Sequence, residues 1–490
     1  MKRWIAVSWQ DKITAMVMLM ALVAITLMPF QDTSEPRYAE IARLMYSTGD
    51  WITPWFEPGK PFWGKPPLSF WAAAASMHVF GVNEFAARFP SWLSMLFSLL
   101  AIRFSIGRVY GSAVAQWTSL IYVSMVLVFV NIGAVLTDPF LALGTSLVFC
   151  SFLFCMSEDK EVLAQEAITC RERRVWAYMG FLGLAIGLLA KGPLTLVLVG
   201  APVVVYLAWH RTRWQRFAHV YSWLPGILLV LVVVLPWYIL AELKTPGFLN
   251  YFIVGEHFLR FVDPGWQGDL YGTAHQQAYG TIWLNALVAG LPWWPIAAIA
   301  LIVLWRQGRL VKLGSRYKAM PMRSFVLSWA LFCAVFFTFS GNILWTYLLP
   351  SMLGVALLMA PIMQNMGQGR WAKRLSYSAL LAPSLLLVVI TVGTFYPQLW
   401  RTEKHLVDFV RTQDNAELYY YKERPFSARF YSEEAVQFID DASLQGKQQL
   451  ADQIWFIAVN KRAMEQFKQV RPVSLYPVYE NKRYYFFKHI

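Results

Sequence analysis

About eleven apolar runs, each long enough to cross a membrane, follow one another along this 490-residue chain. A helix needs ~20 such residues to span the ~30 Å hydrocarbon core of a bilayer. The composition agrees, because 57% of the residues are hydrophobic and 15% are charged, whereas soluble domains carry roughly 25% charged residues. We therefore predict an all-α polytopic membrane protein. The runs begin near Lys12, Arg88, Ala113, Pro139, Trp176, Pro193, Ser222, Gly280, Ser324, Leu344 and Ser376.

Two segments affect the count of spans. Leu68 to Val82 is apolar but short, so it is either an interfacial helix or a tilted span, and the number of spans lies between about 11 and 13. The first run has no small-residue cleavage site and leads straight into Asp32. We interpret that run as a retained span and not as a signal peptide.

Arg and Lys residues are concentrated in alternate loops between the runs. Short loops rich in these residues stay in the cytoplasm, so eleven spans put all the clusters and the N-terminus on the cytoplasmic face. The net charge of +14 is then a topology signal, and a nucleic-acid partner is not expected. The clusters are Lys2, Arg3 and Lys12; Arg103 and Arg108; Lys160, Arg171, Arg173 and Arg174; Arg211, Arg213 and Arg216; Arg306 to Arg323; and Arg370, Lys373 and Arg374.

Because successive loops alternate between the two sides of the membrane, the remaining loops are predicted to face outward. The four cysteines fall in spans or cytoplasmic loops, so the sequence predicts no exported disulfide framework. The outward segments are residues 31–67, 137–138, 191–192, 244–279, 340–343 and everything after 397.

The end of the chain has a different character. After residue 397 the apolar runs shorten and polar residues interleave, which predicts a membrane domain over residues 1–397 and a small extracytoplasmic α/β domain over residues 398–490. Strands are predicted in AELYYY, IWFIAVN, VSLYPVY and RYYFFK. Helices are predicted in SEEAVQFIDDA, with Ser432 as N-cap, and in KRAMEQFKQV.

Acids, bases and aromatic residues are mixed in the outward loops and not in the inward ones. A carboxylate there can act as general base or hold a substrate hydroxyl, and Lys or Arg can bind a phosphate through charge-assisted hydrogen bonds. A sugar phosphate carried on a lipid suits that set of groups. The candidates are Asp32, Glu35, Arg37, Tyr38 and Lys65 in the first loop, and Asp138, Lys191, Glu256, His257 and Arg260 in later ones.

Each candidate also has a structural interpretation. Asp32 could cap a helix, with Glu35 completing a capping box. Asp138 interrupts apolar sequence, where a carboxylate deep in the bilayer costs ~2.5 to 3.5 kcal/mol, but Asp138-Pro139 would also make a turn. Two prolines follow Lys65 and fix an extended backbone, which either positions a cation or ends a loop.

Cofactor motifs are missing from the sequence. His257 alone is a weak candidate for a metal ligand, and no His or Cys spacing recommends a metal site. There is no Walker loop, dinucleotide-binding fingerprint or nucleophile elbow. No cofactor is therefore predicted, and a divalent metal stays an open alternative.

A series of motifs extends in order over nearly the whole chain. They are EPRYAEIARLMYSTGDWITP followed by KPPLSFW, LTDP at Leu136 to Pro139, LAKGP at Leu189 to Pro193, EHFLRF at Glu256 to Phe261, TYLLP at Thr346 to Pro350, and ELYYYKERPFSARFYS near the end. This set resembles the superfamily of bacterial aminoarabinose transferases and dolichyl-phosphate-mannose protein mannosyltransferases, membrane glycosyltransferases of the GT-C fold.

The resemblance implies a bacterial inner-membrane enzyme that takes a sugar from a polyprenyl (undecaprenyl) phosphate carrier at the periplasmic face. Lipid A or another lipopolysaccharide sugar is the acceptor that it favours, and a protein Ser or Thr is the alternative. In the family, a first-loop acid activates the acceptor, which here means Asp32 or Glu35. Lys65 matches a donor-phosphate ligand, and Asp138 matches an acid of the catalytic pocket.

Other pocket residues follow from the same resemblance. Arg37 and Arg260 are expected beside Lys65 at the donor phosphate. Further pocket positions are expected at Tyr38, Lys191, His257 and Tyr347.

The chain departs from the family at three positions. Ser34 and Gly64 stand where aminoarabinose transferases usually have an acid, and Asn342 stands where they tend to have Lys. The donor sugar is therefore left open. A transporter or flippase of lipid-linked sugars is the alternative from a different class, but its ionisable residues would lie within the spans near the midplane. Here they lie at span ends on one side, which favours the enzyme.

Overall fold

A computed structural model describes residues 8–158, 168–263, 266–272, 276–366, 370–413, 416–447, 454–472 and 474–489. The basic residues Lys2, Arg3 and Lys160, which contribute to the predicted orientation, lie outside these ranges. Most of the described chain is helical, and a β-sheet forms the centre of its last part.

Within the described residues, seven helices are long and apolar enough to cross a membrane, and eleven spans result if each of four bent helix pairs counts as one. These segments coincide with the apolar runs of the sequence, so the predicted polytopic fold is confirmed. The seven helices are Trp9–Leu27, Glu84–Tyr110, Asp138–Met156, Cys170–Lys191, Trp223–Lys244, Trp345–Met366 and Ala372–Phe395. The bent pairs are Ser112–Ser124 with Val126–Ile132, Leu194–Trp209 with Arg211–Val220, Thr281–Ala289 with Trp293–Arg306, and Leu310–Lys318 with Arg323–Phe337.

Proline accounts for two of the four bends. Pro292 and Pro321 lie in the connections of the last two pairs, which bend by 75° and 95°. A proline has no N–H to donate to the preceding turn, and its ring clashes with that turn, so the helix stops before it.

The segment between the first two spans folds over the ends of the membrane helices. It contains the helices Ser34–Thr48 and Leu68–Phe80 and a short hairpin of β1 (Trp55–Glu57) and β2 (Lys60–Pro61). The helix Leu68–Phe80 has 13 residues and rises only about 20 Å, less than the hydrocarbon core. This length favours the interfacial alternative over a tilted span.

The start of the helix Ser34–Thr48 corrects one structural interpretation. Its N-cap is Thr33, whose side chain makes no capping hydrogen bond. The carboxylates of Asp32 and Glu35 bind other partners instead. The capping box considered for these two acids is therefore wrong.

Two membrane helices approach each other closely through glycine. The helix that begins at Asp138 packs against the helix that ends at Lys191. A Cβ atom on Gly144 would lie 2.5 Å from the Gly183 carbonyl oxygen, and one on Gly183 would lie 2.6 Å from the Gly144 carbonyl oxygen. Small residues of this kind let helix backbones meet in a membrane. The close contact holds the first residue of one helix beside the last residue of the other.

The last part of the chain forms a small α/β domain around a five-stranded sheet of order β4-β3-β5-β7-β6. Strand β3 is parallel to β4 and β5, and β7 is antiparallel to β5 and β6. The strands are β3 (Glu417–Tyr421), β4 (Gln437–Ile439), β5 (Trp455–Asn460), β6 (Leu475–Glu480) and β7 (Tyr484–His489). The helices around it are Lys404–Arg411, Phe426–Ser432, Asp441–Lys447 and Met464–Val470.

The four strands predicted in this domain are confirmed, and so is the helix in KRAMEQFKQV. The helix predicted in SEEAVQFIDDA is wrong. Ser432 ends the preceding helix, and Glu433 and Glu434 follow with φ of 56° and 70°. This left-handed backbone turns the chain away from a helix and into strand β4.

One face of the sheet packs on the loop of residues 31–67. Tyr420, Phe456 and Phe486 from the sheet share a hydrophobic core with Tyr38 and Ile41 from the loop. The α/β domain is therefore packed directly on the segment that carries five of the predicted site residues, Asp32, Glu35, Arg37, Tyr38 and Lys65.

Candidate functional site

A cavity of about 590 Å³ opens between the loop of residues 31–67, the ends of several spans and the α/β domain. Eight of the ten site residues predicted in the loops line it, and so does Tyr347; together they come from five separate stretches of sequence. The eight are Arg37, Tyr38, Lys65, Asp138, Lys191, Glu256, His257 and Arg260.

The turn motifs LTDP and LAKGP meet in this cavity. Lys191 Nζ donates to Asp138 Oδ1 at 2.5 Å, and both side chains are 10% exposed. The Lys191 ammonium also lies 5.3 Å from the centre of the Tyr347 ring, within range of a cation–π contact. The pair places one carboxylate and one ammonium at the wall of the cavity.

The glycine of the LAKGP turn has a geometric role. Gly192 has a φ of 72°, and a Cβ atom there would lie 2.6 Å from the Phe252 ring. Its conformation and its lack of a side chain let the π-helical segment Asn250–Leu259 pack beside Lys191. This segment carries the acid and the imidazole of the EHFLRF motif into the cavity.

A series of linked ion pairs forms another part of the cavity wall. Lys65 Nζ lies 2.9 Å from Glu256 Oε2, Arg260 Nη1 lies 2.9 Å from Glu256 Oε1, and Arg260 Nη1 lies 3.3 Å from Asp269 Oδ2. Burial alone would raise the pKa of Glu256, but the charges of Lys65 and Arg260 outweigh burial and lower that pKa to about 2. Glu256 is therefore a permanent anion and a poor proton acceptor.

Lys65 and Arg260, the two cations paired with Glu256, also stay charged. Burial alone would lower the pKa of Lys65, but the Glu256 carboxylate outweighs burial and raises the pKa of Lys65 above its usual value. The pKa of Arg260 is also raised, because Glu256 and Asp269 outweigh the effect of burial. Both side chains thus remain cationic across the physiological range of pH.

Arg37 is bound differently from the other cavity cations. Its Nη1 donates to the Tyr271 carbonyl oxygen at 2.6 Å, and its buried Nε has no hydrogen-bond partner among the described residues. Lys65, Lys191 and Arg260 each pair with a carboxylate, whereas within the described part of the chain Arg37 pairs with none. Arg37 is thus the cavity cation with capacity left for an added anion.

His257 is held by main-chain oxygens. Its Nδ1 lies 2.7 Å from the Phe252 carbonyl oxygen, and its Nε2 lies 2.9 Å from the Lys191 carbonyl oxygen. Both ring nitrogens are occupied, Gly64 offers no carboxylate beside Lys65, and the described residues hold no group of three His, Cys, Asp or Glu side chains arranged as metal ligands. The residues present do not fit a metal shared with His257.

Asp32 and Glu35 lie outside this cavity, against a neighbouring groove of about 340 Å³. Asp32 accepts hydrogen bonds from Ser427 and pairs with Arg483 at 2.5 Å. Glu35 accepts two hydrogen bonds from Arg88, both at 2.7 Å. The structure therefore engages both first-loop acids in contacts that hold the loop to its neighbours.

Several other cavity residues were not predicted as site residues from the sequence, among them Ser34, Asp269, Tyr271 and Phe426. Asp269 carried the same signal as the predicted acids, since it lies in an outward loop rich in aromatic residues. Tyr271 joins the loops, because its hydroxyl donates to the Pro61 carbonyl oxygen at 2.7 Å. Phe426 lies in the motif ELYYYKERPFSARFYS of the α/β domain, and nothing in that motif indicated that the domain reaches the cavity.

Comparison with solved structures identifies the fold. The crystal structure of ArnT from Cupriavidus metallidurans bound to undecaprenyl phosphate matches with a TM-score of 0.77, over 99% of this chain and 98% of that chain, at 17% sequence identity. The apo structure of the same protein gives a TM-score of 0.76, at 18% identity, over 98% of each chain. The fold is therefore that of the GT-C membrane glycosyltransferases, as predicted.

Sequence comparison gives the family. The family model described as dolichyl-phosphate-mannose-protein mannosyltransferase matches residues 9–252. The undecaprenyl phosphate-alpha-4-amino-4-deoxy-L-arabinose arabinosyl transferase of Photorhabdus laumondii is 30% identical over 365 residues, which are 71% of this chain and 59% of the relative. The enzyme of the same name from Aeromonas hydrophila is 28% identical over 377 residues, which are 75% of this chain and 63% of the relative.

The chain belongs to the superfamily of GT-C membrane glycosyltransferases that contains the aminoarabinose and protein mannosyl transferases. It is a multi-pass protein of the bacterial inner membrane. The chain spans about three fifths of the length of the curated relatives that it matches, from 59% to 63% in these two cases.

Proposed function

We propose that this chain transfers a sugar from a polyprenyl-phosphate donor, such as an undecaprenyl-phosphate sugar, to a lipid A or other lipopolysaccharide acceptor at the periplasmic face of the inner membrane. One observation carries the proposal: a cavity at the span ends holds four cations, and Arg37 among them is not neutralised by a described carboxylate. An excess of positive charge in a partly dry site suits a lipid-linked phosphate. The names of the relatives support the same donor.

The proposed reaction is a displacement at the anomeric carbon of the donor sugar. The acceptor oxygen forms a bond to this carbon as the bond to the phosphate oxygen breaks. Asp138 accepts the proton of the acceptor hydroxyl, because of the three acids predicted for catalysis, Asp32, Glu35 and Asp138, it is the one that lines the cavity. Arg37, Lys65 and Arg260 stabilise the negative charge that develops on the leaving phosphate.

A protein Ser or Thr is the second candidate acceptor. It is favoured by the family model, which describes a protein mannosyltransferase. The lipid acceptor ranks first, because the arabinosyl transferase relatives match 71% and 75% of this chain, whereas the family model matches only residues 9–252. A transporter ranks lower, because the predicted site residues gather in one cavity at the ends of the spans.

The pairing of the cavity carboxylates bears on which donor sugar can bind. An aminosugar would need a carboxylate for its ammonium group, and each cavity acid already pairs with a cation: Asp138 with Lys191, and Glu256 and Asp269 with Arg260. Neutral sugars are therefore included in the proposal beside aminoarabinose.

The test of this function is mass spectrometry of lipid A, core oligosaccharide and envelope glycoproteins from a deletion strain beside its parent. We expect one sugar substituent to disappear from lipid A or core in the deletion strain and to return with the cloned gene. Loss of a sugar from a protein alone would support the second acceptor. An unchanged envelope under conditions in which the protein is abundant would contradict the proposed transfer.

We further propose that the N-terminus is cytoplasmic and that residues 398–490 form a periplasmic domain after a membrane domain of residues 1–397. The support is the one-sided distribution of Arg and Lys. In a variant without the four native cysteines, Lys60→Cys and Glu465→Cys should react with a membrane-impermeant maleimide in cells with an intact inner membrane. Both positions are exposed, and the Glu465 side chain is 85% accessible.

Arg309→Cys provides the matched control for this labelling. Arg309 is also exposed, but it lies in a predicted cytoplasmic loop. It should react only after the inner membrane is permeabilised. Labelling of Arg309→Cys in intact cells, or protection of the other two positions, would overturn the proposed orientation.

A further inference from the structure

The α/β domain contributes a side chain to the cavity. Phe426, the first residue of the helix Phe426–Ser432, lines the cavity and packs edge to face against Phe56, with 5.3 Å between ring centres. The guanidinium carbon of Arg37 lies 6.0 Å from the centre of the Phe426 ring and 5.6 Å from the centre of the Tyr38 ring. Two aromatic rings thus flank the cation that is not paired with a described carboxylate.

The next residue anchors this helix to the first outward loop. Ser427 donates its backbone N–H to Asp32 Oδ1 at 2.9 Å and its hydroxyl to Asp32 Oδ2 at 2.5 Å. The Asp32 side chain is fully buried, at 0% exposure. A buried carboxylate that lost these donors would be left unsatisfied, so the contact has one strongly preferred geometry.

A second acid and one cation complete the anchor. Arg483 Nη2 lies 2.5 Å from Asp32 Oδ2 and 2.9 Å from Glu403 Oε1. The backbone N–H of Glu403 donates to the Ser427 hydroxyl at 3.2 Å. Ser427 therefore connects the first loop to the start of the α/β domain, and it lies one residue from the ring that contacts Arg37.

We propose that the α/β domain is part of the active site, in which Phe426 orients Arg37 toward the donor phosphate and the bonds between Asp32 and Ser427 hold Phe426 in place. This inference rests on the proposed function. Phe426 and Asp32 are positioning residues, since both act through Arg37. The role of Asp32 then differs from the one expected from the sequence, in which it takes the acceptor's proton.

The first test measures equilibrium binding of undecaprenyl phosphate to the purified full chain in lipid nanodiscs. Phe426→Ala should raise the Kd roughly 3- to 30-fold, the range of a cation–π contact that is partly desolvated. Phe426→Tyr keeps a ring and should restore most of the affinity. Phe438→Ala is the matched control, because Phe438 belongs to the same domain but is 51% exposed on strand β4, and it should leave the Kd unchanged.

A double-mutant cycle tests whether Phe426 acts through Arg37. In an Arg37→Gln background, Phe426→Ala should change the Kd less than twofold, because the residue on which it acts is gone. An equal loss with and without Arg37 would overturn the proposal, and so would an unchanged Kd in Phe426→Ala. Absence of binding by the parent chain would instead count against the proposed function.

The second test separates a positioning role of Asp32 from a role as base. As a positioning residue, Asp32→Asn should raise the Kd for undecaprenyl phosphate by a factor similar to that of Phe426→Ala, with kcat at saturating donor changed only a few fold. Ser427→Ala should reproduce this effect. A base at Asp32 would instead give an unchanged Kd with kcat lower by ~10²- to 10⁴-fold, and that result would overturn the assignment. Thermal unfolding of each variant shows whether the compared proteins are folded.

Discussion

Asp138→Asn is expected to lower sugar transfer by ~10²- to 10⁴-fold at normal abundance of the protein in the membrane, as is typical when a general base is lost. Asp138 lines the cavity and begins a membrane helix, and its carboxylate is fixed by Lys191 at 2.5 Å. The amide is nearly the same size, so the packing of the helix stays intact. The change removes the charge and the proton-accepting oxygen.

The measurement is the amount of the sugar product in the complemented deletion strain, divided by the amount of folded variant in the membrane. Asp269→Asn is the matched control, because it removes another cavity carboxylate whose partner Arg260 still pairs with Glu256. A loss of only a few fold is expected for it. Turnover of Asp138→Asn at the parental rate per folded molecule would exclude Asp138 as the base.

Lys65→Met should lower transfer by ~10²- to 10³-fold, a loss of the size found when one fixed donor to a developing negative charge is removed. The methionine keeps most of the length of the side chain but removes the ammonium that faces the cavity. Glu256 loses one of its two cations and keeps the other, Arg260, at 2.9 Å. Folding should therefore survive, and the Kd for undecaprenyl phosphate should rise together with the loss of transfer.

Lys60→Met is the control for this change. Lys60 lies five residues earlier in the same loop, is exposed, and is not among the residues that line the cavity. Its transfer rate should equal that of the parent. A normal rate in Lys65→Met would remove Lys65 from the phosphate site, whereas an equal loss in both variants would point to a general effect of positive charge on the loop.

The spans could be predicted from the sequence because one property, apolar length, decides whether a helix can cross a bilayer. The loops could also be ranked, since those predicted to face outward mix acids, bases and aromatic residues that can bind a lipid-linked sugar phosphate. These two arguments located eight residues of the cavity. They rest on local sequence, and local sequence is sufficient for both.

The pairing of the charges could not be predicted in this way. Lys65 and Glu256 are 191 positions apart, and Asp32 and Ser427 are 395 positions apart. Whether an acid works as a base or as an anchor depends on which distant group the fold brings to it. The helix predicted across Ser432 failed for a local reason, because two successive residues adopt the left-handed backbone conformation, which propensity rarely anticipates.

The ion pairs of Glu256 have a consequence for the end of the catalytic cycle. If Lys65 and Arg260 bind the carrier phosphate, then the Glu256 carboxylate competes with that phosphate for the same two cations. Binding then exchanges one ion pair for another, so its net gain is much smaller than the full attraction of two bare charges. Under the proposed function, we therefore expect the spent carrier to leave readily, because the Glu256 carboxylate pairs again with Lys65 and Arg260 when the phosphate departs.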